Sequence, residues 1–189
     1  NTPAIWQLTF PFNGEMIAYW SLLFLERETL LAFLPLLSGI LSAGIIYFLG
    51  VEFFMDKKYS LFAAILWLTF PVVQLNLSSS RHDHISTFLL LSALYFLVKG
   101  IKTRTRSCWI LIGLSLALAV GTNMGVATYL PGFAIVFLTL WLLMKKLSFS
   151  EFVQIGIASL VCFLLISSPI FISNQIHFGT PISPDADAM

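Results

Sequence analysis

The side chains best suited to chemistry are concentrated in one short polar segment, residues 78–84, with the sequence SSSRHDH. Arg81 can hold the oxygens of a phosphate group through its planar guanidinium. Asp83 can accept a proton, orient a substrate hydroxyl or bind a metal ion. His82 and His84 share a face only if the segment is extended, and a zinc site needs three or four ligands, so zinc binding by these histidines is disfavoured. The segment predicts a site that handles an anion and a proton.

A structural role for the same residues is equally open. Asp83 could cap the helix that follows it, because its side-chain oxygen can accept a backbone N–H of the first turn. Arg81 would then lie among lipid headgroups. Glu15 precedes an aromatic helix, so it is either a member of the same site or an acid favoured by the helix dipole. Asn123 either points into an internal cavity or satisfies a turn.

The composition places these residues in a membrane protein. The 189-residue chain is 58% hydrophobic and only 10% charged, whereas roughly 25% of the residues of soluble domains are charged. Asp, Glu, Lys and Arg are absent from residues 29–51, 59–80, 85–98, 107–144 and 152–184. A spanning helix needs about 20 apolar residues, and the fourth stretch is long enough for two, divided at the glycines of residues 121–125. The net charge of +1 gives no indication of nucleic-acid binding.

We therefore predict an all-α fold, a polytopic transmembrane helix bundle of about six spans. The predicted spans are residues 29–51, 59–78, 84–100, 107–121, 126–144 and 152–172. Residues 1–28 are expected to form an outer-face loop with an interfacial helix, and residues 173–189 to begin another outer-face loop. We also expect the chain to be a piece of a longer protein.

The distribution of basic residues predicts the orientation of these spans. Eight of the ten lysines and arginines fall in alternate loops: Lys57, Lys58, Lys99, Lys102, Arg104, Arg106, Lys145 and Lys146. Lysine and arginine are enriched in cytoplasmic loops. We expect an integral, multi-pass protein of the cytoplasmic or plasma membrane. Residues 81–84, the turn at 122–125 and both chain ends would face the outer side.

Four motifs occur in order along nearly the whole chain. The first is Pro11-Phe12-Asn13-Gly14-Glu15, and the second is residues 79–84 followed by FLLL (88–91) and LYFL (94–97). The third is residues 113–123, leading to Leu130-Pro131, and the fourth is Asn174 with Phe178-Gly179-Thr180-Pro181. Together they resemble the membrane domain of a C-type glycosyltransferase of the protein O-mannosyltransferase-like superfamily, the dolichyl-phosphate-mannose type.

The resemblance implies an enzyme that moves a sugar from a polyprenyl-phosphate carrier to an acceptor hydroxyl on the outer face. It implies that Asp83 and Glu15 are catalytic and that Arg81 contacts the donor phosphate. Further candidate substrate contacts are His82, His84 and Asn123. The implied partners are the sugar donor, the lipid bilayer and a glycan, lipid or protein acceptor, with no nucleic acid. The sugar and the use of a divalent metal stay open.

The chain departs from such relatives in two ways. They usually carry an acidic pair at the start of the first outer loop, which we expect upstream of Asn1, so activity of this piece by itself is left open. They often have a lysine where this chain has Asn123. Two alternatives are kept: a non-catalytic relative, and a transporter or flippase. A transporter predicts ionisable residues within the spans and helices broken near the midplane.

Overall fold

A computed structural model describes residues 23, 29–54, 56–77, 83–143 and 146–179. These residues form helices and connecting turns, and no strand occurs among them. The helices are α1 (Thr29–Phe54), α2 (Lys57–Thr69), α3 (Pro71–Leu77), α4 (Asp83–Thr103), α5 (Arg106–Thr122), α6 (Leu130–Leu138), α7 (Phe149–Cys162) and α8 (Ser168–Phe178). A 3-10 segment, Met124–Tyr129, precedes α6, and π-helical turns follow α6 (Thr139–Leu143) and α7 (Phe163–Ser167). The predicted all-α class is confirmed.

Four described segments are long and apolar enough to cross a membrane by themselves: Phe33–Phe53, Asp83–Thr103, Gly125–Leu142 and Phe149–His177. The predicted span 59–78 is divided into α2 and α3, which are bent by 64°. The bend lies at Pro71, because a proline lacks an N–H and pushes the preceding residue, Phe70, into extended backbone with φ −62° and ψ 128°.

The predicted span 107–121 corresponds to α5, a helix of 17 residues. At 1.5 Å per residue it is about 26 Å long, shorter than a hydrocarbon core of roughly 30 Å. The described residues therefore give four spans, or five if α2 and α3 form one crossing, where the sequence predicted about six. Each of the six predicted segments is mostly helical over its described residues, and the difference in number comes from the bend and from the short α5.

The centre of the bundle is the antiparallel pair α4 and α5, with α7 packed against α5. Ala93 and Leu97 of α4 and Trp109 and Ile112 of α5 share one core cluster and are at most 2% exposed. A Cβ atom added to Gly113 would lie 2.6 Å from the backbone nitrogen of Ser159 in α7. The glycine therefore lets two helix backbones approach closely, as small residues do in membrane bundles.

One end of the bundle is closed by two ion pairs, and we call it the ion-paired end. Lys102 Nζ lies 2.6 Å from Glu52 Oε2, which joins α4 to α1. Arg104 Nη1 lies 2.5 Å from Glu151 Oε2, which joins the end of α4 to the start of α7. Glu151 also completes a capping box with Ser148 at the start of α7. Because α5 runs back from this end, Asn123 lies at the opposite end, beside the start of α4.

The last helix extends beyond the predicted end of its span at residue 172. It ends at Phe178, and Gly179 takes the left-handed conformation with φ 72°, which glycine adopts without steric cost. Most of the predicted N-terminal loop, with Glu15, lies outside the described residues, as do Arg81 and His82.

Candidate functional site

Two of the predicted site residues meet at the end of the bundle away from the ion pairs. Asn123 Nδ2 donates a hydrogen bond of 2.9 Å to Asp83 Oδ1, although the two residues are 40 positions apart in the chain. Both side chains are half-buried. The helix start that carries Asp83 and the helix end that precedes Asn123 thus present a carboxylate and an amide to each other.

The turn after α5 holds the Asn123 side chain in this direction. Asn123 is extended, with φ −148° and ψ 119°, and its Oδ1 accepts a hydrogen bond of 2.8 Å from the backbone N–H of Gly125. Because Oδ1 accepts there, the donor Nδ2 is the atom that faces Asp83. A Cβ atom on Gly125 would lie 3.1 Å from Asn123 Oδ1, so glycine leaves room for the turn.

Asp83 is the first residue of α4. Its backbone carbonyl accepts a hydrogen bond of 2.8 Å from Thr87 Oγ1. Within the described ranges its carboxylate is bound by Asn123, and neither an ion pair nor a capping bond to its own helix is found there. The position of Asp83 is that of a first-turn acid, but its observed side-chain contact joins two helices.

His84 is buried, with 4% of its surface exposed, and it packs against α3. Its Nε2 lies 3.1 Å from the carbonyl oxygen of Val73. A carbonyl can only accept, so Nε2 is the donor and carries a proton. Among the described residues, Nδ1 is buried without a hydrogen-bond partner. The ring therefore ties the start of α4 to α3, and this geometry favours a supporting role over direct contact with a substrate.

An apolar groove of about 330 Å³ lies between α5, α6 and α7. Its walls include Leu116, Leu130, Phe133, Phe137, Phe152 and Ile155. Leu130 also packs against the small core cluster of Ala119, Val120 and Val126, which fills the space just below the turn at Asn123. The groove has the chemistry to hold a hydrocarbon chain, and it begins one element away from the Asp83–Asn123 contact.

No group of three or more histidine, cysteine, aspartate or glutamate side chains converges within the described ranges. Of the predicted catalytic carboxylates, Asp83 lies within the described residues. Glu15 and His82 lie outside them. The divalent metal stays an open prediction.

Sequence reasoning placed a turn at residues 121–125, but it did not identify the Gly125 N–H as the partner of Asn123 or the Val73 carbonyl as the partner of His84. The Asn-x-Gly spacing of residues 123–125 is typical of a turn in which the asparagine side chain binds a backbone N–H, so the sequence carried a signal for the first of these partners. The partner of His84, the Val73 carbonyl, had no such signal. It reaches α4 because the chain bends at Pro71, and hydrophobic periodicity does not reveal a bend.

Comparison with protein families gives one assignment. The sequence model of the dolichyl-phosphate-mannose-protein mannosyltransferase family matches residues 11–172. The chain belongs to that family. Searches of curated proteins and of solved structures find no match.

The dolichyl-phosphate-mannose-protein mannosyltransferases are membrane glycosyltransferases, and the resemblance seen in the sequence is thereby confirmed. The matched range holds Glu15, Arg81, Asp83 and Asn123. The motif at residues 174–181 lies outside it. The assignment agrees with the structure, because four described segments are long and apolar enough to cross a membrane.

Proposed function

We propose that the chain transfers a sugar from a polyprenyl-phosphate carrier to an acceptor hydroxyl at the outer face of the membrane, with Asp83 as the catalytic carboxylate. The observation that carries this proposal is the hydrogen bond between Asp83 and Asn123, at the end of the bundle opposite the lysine- and arginine-rich loops. The family's description favours mannose as the sugar and a protein as the acceptor.

The reaction makes two demands on the site. The acceptor oxygen bonds to the anomeric carbon while the bond from that carbon to the carrier phosphate breaks, and the phosphate leaves with the electron pair. The acceptor's proton needs a base within hydrogen-bond reach, and the proposal assigns this role to Asp83. The charge that develops on the departing phosphate needs a donor or cation, and Arg81 is the proposed one.

Asn123 and His84 would act through Asp83. By binding Oδ1, the Asn123 amide holds the carboxylate plane in one orientation and leaves Oδ2 for the acceptor hydroxyl. His84 fixes the start of α4 against α3 through the Val73 carbonyl. Both are proposed positioning residues. Glu15 and His82 keep their predicted roles, as a second acid and as a substrate contact.

The apolar groove between α5, α6 and α7 is the proposed path for the carrier's hydrocarbon chain. Its walls carry aromatic and aliphatic side chains, and an isoprenoid requires no hydrogen bonds from them. Leu130 connects this groove to the element that carries Asn123. A chain lying there would place its phosphate end toward the Asp83–Asn123 contact.

The distribution of basic residues favours an outer-face site over transport. Lys102 and Arg104 lie at the ion-paired end, and we assign this end to the inner side because basic residues are enriched in cytoplasmic loops. The bend at Pro71 is a feature that a transporter would share. Residues 59–77 contain no aspartate, glutamate, lysine or arginine, so the bent segment offers no charged side chain to bind a coupling ion.

The test uses membranes that hold the full-length protein, supplied with radiolabelled polyprenyl-phosphate mannose and an acceptor peptide rich in serine and threonine. Asp83→Asn removes the base without changing the side-chain shape, and transfer should fall by about 100-fold or more. Glu52→Gln is the matched control, because it makes the same chemical change at the ion-paired end. Equal transfer by Asp83→Asn and wild type, at equal protein levels, would remove Asp83 from the site.

A further inference from the structure

A second groove, of about 560 Å³, lies between α5 and α7 near the ion-paired end. Its walls are mostly apolar, and Ile110, Ile157 and Val161 are 56%, 57% and 46% exposed. These side chains lie on the outside of the described helices. The groove is separate from the one that passes Leu130, because it opens on the other side of the α5–α7 contact and shares none of its lining residues.

One cation lines this groove among the described residues. Arg106 is the first residue of α5, so it stands at the membrane-surface end of the groove. Lys102 and Arg104 are neutralised by Glu52 and Glu151. Arg106 is exposed and makes no ion pair within the described ranges. A positive charge at the mouth of an apolar groove matches a ligand with an anionic head and a hydrocarbon tail.

The length of the groove fits a lipid of one leaflet. From Gln154 to Cys162 the groove follows α7 over nine residues, a rise of about 12 Å. One leaflet contributes half of a hydrocarbon core of roughly 30 Å. An acyl chain can therefore lie along most of the groove while its phosphate remains at the level of Arg106.

We infer that this groove binds an anionic phospholipid, with its phosphate on Arg106 and one acyl chain along Ile110, Ile157 and Val161. Basic sites between membrane helices bind acidic lipid headgroups in this way. The inference does not depend on the catalytic proposal, since it concerns the opposite end of the bundle. The lipid would brace α5 against α7, the two helices that Gly113 brings together.

The experiment measures lipid binding to the purified full-length protein in a mild detergent by native mass spectrometry. Phosphatidylglycerol and phosphatidylcholine with identical acyl chains are titrated separately. We expect phosphatidylglycerol to bind more tightly, and Arg106→Gln to weaken its binding by about fivefold, the effect of one cation near an anionic surface. Arg106→Lys should retain the binding. Lys57→Gln, a change to an exposed lysine at the same end that does not line the groove, should leave it unaltered.

Bulky substitutions in the groove test the proposed contact with the acyl chain. Val161→Trp adds bulk on an exposed position, where folding is not threatened, and Ala158→Leu adds bulk deeper in the groove. Both should weaken the binding of either phospholipid. Inorganic phosphate at millimolar concentration should not compete, because it lacks the tail. Equal binding of the two lipids, or unchanged binding by Arg106→Gln and Val161→Trp, would overturn the inference. Cross-linking of Ile157→Cys to another helix or a second copy would also overturn it.

Discussion

At the ion-paired end, Glu52 and Glu151 each lie against a cation, whereas at the other end Asp83 is bound by the neutral amide of Asn123. A cation neutralises a carboxylate. A neutral amide orients a carboxylate through a hydrogen bond and supplies no opposite charge. The two ends of the bundle therefore hold their described carboxylates differently. The ion pairs join helices, and we propose that Asp83 remains available to a substrate hydroxyl.

The largest loss of activity is expected when the Asn123 amide is replaced. Asn123→Leu removes the only described hydrogen bond to the Asp83 carboxylate, and hydrogen bonds to charged groups contribute about 1.5–3 kcal/mol. We expect mannosyl transfer to fall by roughly 10- to 100-fold, mainly in kcat. Gln154→Leu removes an amide near the ion-paired end and serves as the control. If both variants lose the same activity, the Asp83–Asn123 contact has no special role.

The next test weakens the packing of α5, the helix that runs between the two ends, against α7. Gly113→Ala places a methyl group against the α7 backbone and should lower the free energy of unfolding by about 1–3 kcal/mol. Gly156→Ala is the matched control, because nothing lies within 4 Å of the added atom. Thermal unfolding in detergent measures both. Equal stability of the two variants would show that α5 and α7 are not closely packed at Gly113.

A smaller loss of activity is expected from changing His84, which holds the start of α4 against α3. His84→Ala removes the bond to the Val73 carbonyl, and a net hydrogen bond contributes about 0.5–1.5 kcal/mol. Transfer should fall by roughly 2- to 10-fold with little change in KM for the donor. His84→Gln keeps a donor near the position of Nε2 and should restore part of the activity. A rise in KM alone would instead favour direct contact between His84 and the substrate.

The smallest change in activity is expected when an ion pair is broken at the ion-paired end. Lys102→Gln leaves Glu52 without its cation, and a partly exposed pair contributes less than about 1 kcal/mol to stability. Transfer at saturating donor should stay within about twofold of wild type. The pair should also weaken in high salt, which a melting series in detergent can show. A large loss of transfer would contradict the assignment of a purely structural role to this end.

Much of the fold follows from composition, because charge-free runs of membrane length can only be helices in a bilayer. Their number is harder to predict. The charge-free run that includes Pro71 predicts one span. The proline is a signal for a bend, but the angle of 64° is given only by the structure. Residues 107–121 carry no charged side chain, but their helix is too short to cross a membrane by itself.

The sequence predicts which residues belong to the site, but it does not predict which of them touch. The polar segment around Asp83 and the turn at Asn123 are visible because ionisable and amide groups are rare in apolar sequence. That they touch depends on the antiparallel packing of α4 and α5, which is set by Trp109, Leu97 and the small residues between the helices. The burial of His84 depends instead on α3, whose Val73 carbonyl contacts the ring, and the sequence does not show this contact.

The short helix α5 also affects the end of the bundle that carries Asp83. The neighbouring α4 has 21 residues and is about 32 Å long, some 6 Å longer than α5. Asp83 is the first residue of the longer helix and Asn123 follows the end of the shorter one, so the hydrogen bond between their side chains crosses the step between the two helix ends. We expect an acceptor to approach Asp83 over the lower end of α5, so unfolded, extended polypeptide should be accepted more readily than the surface of a folded domain.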